Sequence, residues 1–251
     1  MDNLSTAFPL WSLYSNFLAT ARFTDLTHAF FPSQPHFPAF PDEARELIFT
    51  VPQHGFEVTR YTLVGQWGTH IDAPSHFVDG GRSLDAIPVT QMLLPLVVLD
   101  ITARAAANPD TTALLEDVQE WERKHDRIPD NAFVALRSGW SSRWPDADAF
   151  ANKDAGGVAH YPGWSREVLE FFVQSRNVTA IGHEVTDTDP GTSTSKGDYG
   201  VEAYWLGQDR WQIELMANLA DVPEAGALLL ASWPKPRAGS GFPARLVAIH
   251  P

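Results

Sequence analysis

Gly65-Gln66-Trp67-Gly68-Thr69-His70-Ile71-Asp72-Ala73-Pro74-Ser75-His76 places four polar side chains, Gln66, His70, Asp72 and His76, at even-numbered positions within a short stretch. In an extended strand alternate side chains share a face, so the four converge as far as Pro74 lets the strand run straight. An imidazole and a carboxylate at i, i+2 form a metal-binding pair. His76 serves either as a further ligand or as a base. This chemistry points to a metal-activated water, and so to a hydrolase. Gly68 lets the backbone approach a ligand or a neighbouring strand closely. The competing reading is a surface turn with incidental histidines.

Three further segments carry chemistry-competent residues. In Arg210–Leu219, Gln212 and Glu214 share parity among large apolar neighbours. Burying such groups without partners costs roughly 2–7 kcal/mol. A metal, a substrate or a core hydrogen-bond network would supply those partners. The segment Ile181–Gly191 follows a buried strand and opens a polar loop, where function commonly sits. His183 is its candidate for orienting a substrate or closing the site, and Asp187 and Asp189 read as turn residues. The run from Asp25 to Phe40 is rich in proline and aromatics. It either walls a flat apolar pocket or plugs its rings into the core. Pocket shape then depends on how Phe37, Phe40 and Trp205 come together. His54, His125, His160 and His250 read as surface residues. The tryptophans read as core, with Trp67 on the face opposite His70.

The chain has 251 residues and is 44% hydrophobic, enough for one large α/β domain or at most two small ones. Its net charge of -13 opposes binding to nucleic acid or to an acidic membrane surface. The absence of cysteine excludes disulfides, thiolate chemistry and Cys-ligated zinc, and fits a cytoplasmic protein. The first residues lack a basic n-region, and Ser, Tyr and Asn interrupt their apolar stretch. They read as neither a signal peptide nor a membrane span, but as a short amphipathic helix packing on the body or on a partner subunit.

Strands are expected over 56–65, 95–101, 131–138, 178–182, 227–232 and 244–249, and helices over 113–126 and 165–175, with a third near 201–206. Asp110, Thr111 or Thr112 is expected to cap the first helix and Ser165 the second. Strands outnumber helices and do not alternate strictly with them. The expectation is an α/β fold, a mixed sheet or partly closed barrel with helices outside. Residues 1–22 form a helical arm and 23–251 a single domain.

Gly68-Thr69-His70-Ile71-Asp72-Ala73-Pro74-Ser75-His76 resembles the G-T-H-x-D-x-P-x-H core of the cyclase-like metal-dependent hydrolases, supported by Asp25-Leu26-Thr27 and by Ile213-Glu214 through Asn218-Leu219. The resemblance runs from about residue 23 to 249. The family includes bacterial kynurenine formamidases and isatin hydrolases. It implies a swivelling β/β/α fold and a homodimer or larger assembly. The formamidases carry H-x-G-T-H, where this chain has Gln66, and a His about twelve residues before the late Glu, where it has Glu202. The isatin hydrolase branch is more similar, with Gln at the first position and manganese as its metal.

The resemblance implies His70 and Asp72 as ligands of Mn2+, with Zn2+ as the alternative. Gln212 is a third ligand through its amide oxygen, and Gln66 is a ligand or orients one. Oxygen donors in place of imidazoles suit the harder ion. His76 is then the general base, Glu214 orients a ligand or relays a proton, and His183 hydrogen-bonds a substrate or product oxygen. The expected substrate is a small aromatic lactam, isatin opening to isatinate. Kynurenine formamidase or another amidase or lactonase is the alternative, and a non-catalytic metal or small-molecule binding protein is the alternative of another class.

Overall fold

The computed structural model describes residues 8–251. Its strands are β1 (Arg22–Asp25), β2 (Ala44–Phe49), β3 (Val58–Thr62), β4 (His70–Asp72), β5 (Leu93–Asp100), β6 (Phe133–Arg137), β7 (Ala180–His183), β8 (Trp211–Glu214), β9 (Ala227–Ser232), β10 (Gly241–Pro243) and β11 (Arg245–His250). Nine of them form one sheet in the order β1-β11-β9-β5-β6-β7-β8-β4-β10, while β2 and β3 pair as a separate hairpin. The β5-β6-β7-β8 run is parallel and every other pairing is antiparallel. The mixed α/β sheet expected from the sequence is therefore observed.

Side-chain parity divides the core between the two faces of this sheet. Leu96, Val98, Phe133 and Ala135 join Ile71, Ile213, Leu229 and Leu246 in one apolar cluster. Val97, Leu99, Val134 and Leu136 join Val118, Trp121, Val168, Leu169, Phe172 and Trp205 in the other, under the helices. Parallel strands covered on both faces need nearly continuous apolar sequence, as β5 and β6 have. β9 alternates buried and exposed residues along its whole length, as a strand with one wet face does.

The helices follow their local chemistry. Leu115–His125 begins not at Asp110, Thr111 or Thr112 but at Leu114, whose N–H donates to the Asp117 carboxylate at 2.8 Å. Ser165 caps Arg166–Phe171 through the Val168 N–H, and a π-helical turn over Phe172–Arg176 follows. Gly200–Gly207 is the third expected helix. The stretch read as extended around His70 and Asp72 contains β4, whereas β1, β2, β8 and β10 fall outside the expected strands. All but β2 are four residues or fewer, too short for a periodic signal.

The helix Pro9–Asn16 buries none of its residues, with Leu10 79% and Trp11 67% exposed, so it does not pack on its own body. Residues 1–7 of the expected arm lie outside the described residues. Among the described residues, no helix is long and apolar enough to cross a membrane. His250 is not a surface residue: it is buried, and its Nε2 lies 2.9 Å from Thr24 Oγ1 on the paired strand β1.

His28 follows Thr27, which bridges to Met216, and its backbone N–H donates to Thr69 Oγ1 at 2.9 Å just before β4. Its ring stacks on Trp144 at 4.2 Å, and burial lowers its pKa from an ordinary 6.5 to about 4. The folded state thus holds His28 neutral while the unfolded chain protonates it, and stability is full above pH 6.5 and falls as pH drops toward 4. His28→Phe keeps the stack without the titration. Its urea midpoint should fall less than that of wild type between pH 7 and pH 4.5, and equal losses would sink the assignment.

Candidate active site

The site is built by strand register. In the antiparallel pairing of β4 with β8, His70 lies opposite Glu214 and Asp72 opposite Gln212, while Ile71 and Ile213 turn the other way into the core. β10 flanks the other edge of β4. One acceptor-capable atom each from His70, Asp72 and Glu214 falls within 4.8 Å of the others, all buried. His70 Nε2 stands 3.4 Å from Asp72 Oδ2 and 3.5 Å from Glu214 Oε2.

Gly68 sets the imidazole. Its φ of +64° belongs to the left-handed region, and an added Cβ there would come within 2.8 Å of Phe30 Cβ. The turn aims the Gly68 carbonyl at His70, whose Nδ1–H donates to it at 2.8 Å. Nε2 is left with its lone pair toward the carboxylates, as ligation requires.

Pro74 ends the strand, and Pro74–His76 forms a 3-10 turn. The four even positions therefore converge by turning rather than along a straight strand. His76 Nε2 lies 4.0 Å from Asp72 Oδ1, and Gln66 Nε2 donates to His76 Nδ1 at 3.3 Å. A pocket of about 230 Å³ opens above them. Gln66, His70, His76, Glu202 and Glu214 line its polar side, and Phe37, Phe40, Phe77 and Tyr199 its aromatic side.

Carboxylates crowd this floor. Glu202 and Asp72 both receive the Gln212 amide N–H, at 2.9 and 3.4 Å, and Glu214 receives it at 3.1 Å. Burial, then the charges of Glu202, Asp72 and Asp187, push Glu214 well above the ordinary carboxylate range. Burial, then Asp72 and Asp187, does the same to Glu202. Burial works against a charged His70, but Asp72 beside it outweighs this and the imidazole pKa rises. Burial would likewise raise Asp72, yet His70 holds it below its usual value. Among the described residues, Asp72 Oδ1 is buried with no hydrogen-bond partner, and no lysine or arginine lines the pocket. An orphaned oxygen in a set of one imidazole and two carboxylates fits a divalent cation.

Other residues singled out in the sequence lie elsewhere. Gln212 is wholly buried, and its Oε1 accepts the Thr188 hydroxyl at 2.7 Å. The oxygen expected to bind metal is thus occupied, and the amide orients carboxylates instead. Trp205 is wholly buried beneath the helices, where its indole N–H donates to the Trp211 carbonyl, so it does not touch the pocket. His183 is 1% exposed and lies behind Glu214, 3.5 Å from Oε1, with burial lowering its pKa to about 3. It does not line the pocket. Asp187, read from sequence as a turn residue, is buried, lines the pocket and accepts the Tyr161 and Thr186 hydroxyls at 2.5 and 2.8 Å. Asp189 accepts the Val201 and Glu202 N–H groups and so fixes the first turn of the Glu202 helix. The polar loop after a buried strand was the available signal for Asp187, whereas nothing in sequence pointed to Tyr199 or Phe77.

A family model described as putative cyclase matches residues 24–190. An isatin hydrolase of Roseibium aggregatum is 30% identical over 189 residues, covering 73% of this chain and 71% of its own. Isatin hydrolase A from Ralstonia solanacearum has the same fold, with a TM-score of 0.87 at 32% identity over 100% of both chains. An isatin hydrolase bound to the product analogue thioisatinate gives 0.88 at 25% identity, again over 100% of both.

Gln212→Leu keeps the volume and removes the amide that bridges the carboxylates. Urea unfolding of the metal-stripped protein should show a loss of about 1–3 kcal/mol, the cost of orphaned buried groups. Divalent-ion affinity should fall by about 10- to 100-fold, the usual loss when a group that orients ligands is removed. A loss of affinity as large as that of His70→Ala would show that Gln212 is a ligand after all.

Proposed function

The chain belongs to the putative cyclase family, and we propose that it is a metal-dependent hydrolase opening the amide ring of a small aromatic lactam, isatin to isatinate. The observation that carries this reading is the meeting of His70, Asp72 and Glu214 on the floor of an aromatic-walled pocket with His76 at its edge. The relatives named isatin hydrolase support the substrate.

His70 Nε2, an Asp72 oxygen and a Glu214 oxygen would hold the ion, so Glu214 moves from the relay role to a ligand. We favour Mn2+ over Zn2+, because carboxylate oxygens outnumber the imidazole nitrogen. When bound, the ion supplies a Lewis acid that polarises a carbonyl and lowers the pKa of a water.

The chain's own residues do the rest. Phe37, Phe40, Phe77 and Tyr199 clamp a flat ring and exclude solvent from it. In the basic tautomer of His76 the proton is on Nδ1, and the Gln66 amide, turned to present Oε1, accepts it. Nε2 then takes a proton from the attacking water. The water oxygen bonds to the amide carbon, the C–N bond breaks, and His76 returns the proton to the departing nitrogen. The products are an aryl amine and a carboxylate.

A cytoplasmic homodimer completes the proposal. The exposed apolar side chains of Pro9–Asn16 and of the β2–β3 hairpin, Leu47, Val51 and Tyr61 among them, support a surface that a second copy covers. Deleting residues 1–21 should convert the dimer to monomer in light scattering, and an unchanged mass would place the interface elsewhere.

The decisive experiment follows isatin absorbance with metal-stripped protein before and after Mn2+ or Zn2+ is added. Manganese should restore ring opening. His70→Ala should bind the ion poorly, and His76→Ala should keep it while turnover falls about 100- to 10,000-fold. No turnover by manganese-loaded wild type would reject isatin as the substrate.

A further inference from the structure

We propose that a second cavity beside the catalytic pocket is a ligand subsite, which takes a ring substituent of an extended aromatic amide and pairs its acidic end with Lys153. The proposal rests on the reading of the first pocket as the amide-hydrolysing site, and it concerns which amides that site accepts.

The second cavity, about 310 Å³, is larger than the catalytic pocket and adjoins it along a common wall of His36, Phe37, Thr186, Asp187 and Tyr199. The Phe37 and Tyr199 rings in that wall stand 6.1 Å apart, edge to face. Asp187 sits at the junction, buried and held by Tyr161 and Thr186, while Tyr161 also bonds Thr194 at 2.6 Å. Opening a bare lactam ring uses none of the groups beyond that junction. A cavity this size, with apolar sides of Phe150, Ala151 and Ala159, has room for what a bare bicycle lacks.

The far wall is held in place by its own hydrogen bonds. Lys153 pairs with Ala159 in a backbone bridge, Asn152 Nδ2 donates to the His160 carbonyl at 2.7 Å, and His160 Nδ1 meets Asp110 at 2.8 Å. Lys153 is the single lysine or arginine lining either cavity and has no ion-pair partner among the described residues. The catalytic end is rich in carboxylates. An extended ligand with an acidic tail is therefore oriented by charge, its neutral amide inward and its acid outward.

The test reads binding of the ring-opened product rather than turnover. Manganese-loaded wild type is titrated calorimetrically with isatinate and with isatinates carrying a carboxyalkyl chain at each ring carbon in turn. For at least one position the extended acid should bind about tenfold more tightly, a difference of about 1.4 kcal/mol. Ala151→Phe fills the second cavity and should erase that gain while isatinate binding and thermal midpoint stay unchanged. Lys153→Gln, a change at an exposed side chain, should keep the thermal midpoint and weaken only the extended acids, by about two- to fivefold. Equal affinity for short and extended acids at every position overturns the subsite, as does a gain that survives Ala151→Phe. A wild type that binds isatinate equally with or without the chain, yet opens isatin, leaves the parent reading standing and rejects the subsite alone. A wild type that neither opens isatin nor binds isatinate overturns both.

Discussion

The pairing register of β4 with β8 is the constraint on which the site depends. These two short strands place His70 against Glu214 and Asp72 against Gln212 on one face, and Ile71 against Ile213 on the other. Side chains alternate with a period of two, so a slip by one residue would bury the imidazole and carboxylates in the apolar cluster and expose the isoleucines to the pocket. The register is held from both sides. Gly68 turns the chain into β4, Pro74 ends it, and β10 closes its other edge, with Gly241 lying so close to Gln66 that any side chain there would strike the amide.

Register brings the polar groups together, and a second set of contacts makes their company tolerable. Buried carboxylates repel one another and lose hydration, which is why Glu202 and Glu214 are pushed toward their neutral forms. Gln212 offers its amide N–H groups to the carboxylates and leans on Thr188 through its oxygen. Asp189 pins the helix that delivers Glu202. Tyr161 and Thr186 donate their hydroxyls to Asp187 at the pocket wall. None of these contacts touches the reacting position in the proposed mechanism, yet each fixes a group that does or that borders it.

The sequence disclosed the parts whose signal is local. His70, Asp72 and His76 lie within seven residues, and the apolar runs of β5, β6, β9 and β11 are long enough to read as strands. The mixed sheet followed from those runs. Contacts that form only across long chain separations were not legible. Parity marked Gln212 and Glu214 alike, and only the position of Thr188 shows that one presents its nitrogen and the other its oxygens to the site. Trp205 is aromatic like Phe37 and Phe40, but its helix turns it into the core beneath the helices, whereas the proline-rich segment carries the phenylalanines to the pocket. Asp187 looked like a turn residue because its partner Tyr161 is 26 residues away.

The three cation-competent residues come from β4 and β8, with the parallel strands β5, β6 and β7 lying between them in the chain. His70 and Asp72 are neighbours in any chain, but Glu214 joins them only through the β4–β8 pairing, so an ion held by all three would favour the native state. By mass action such an ion stabilises the fold in proportion to the logarithm of its free concentration. The geometry of one strand pair would thereby tie the lifetime of the protein to metal supply: starved of such an ion, the same molecules would open more often and reach proteases sooner, before any question of turnover arises.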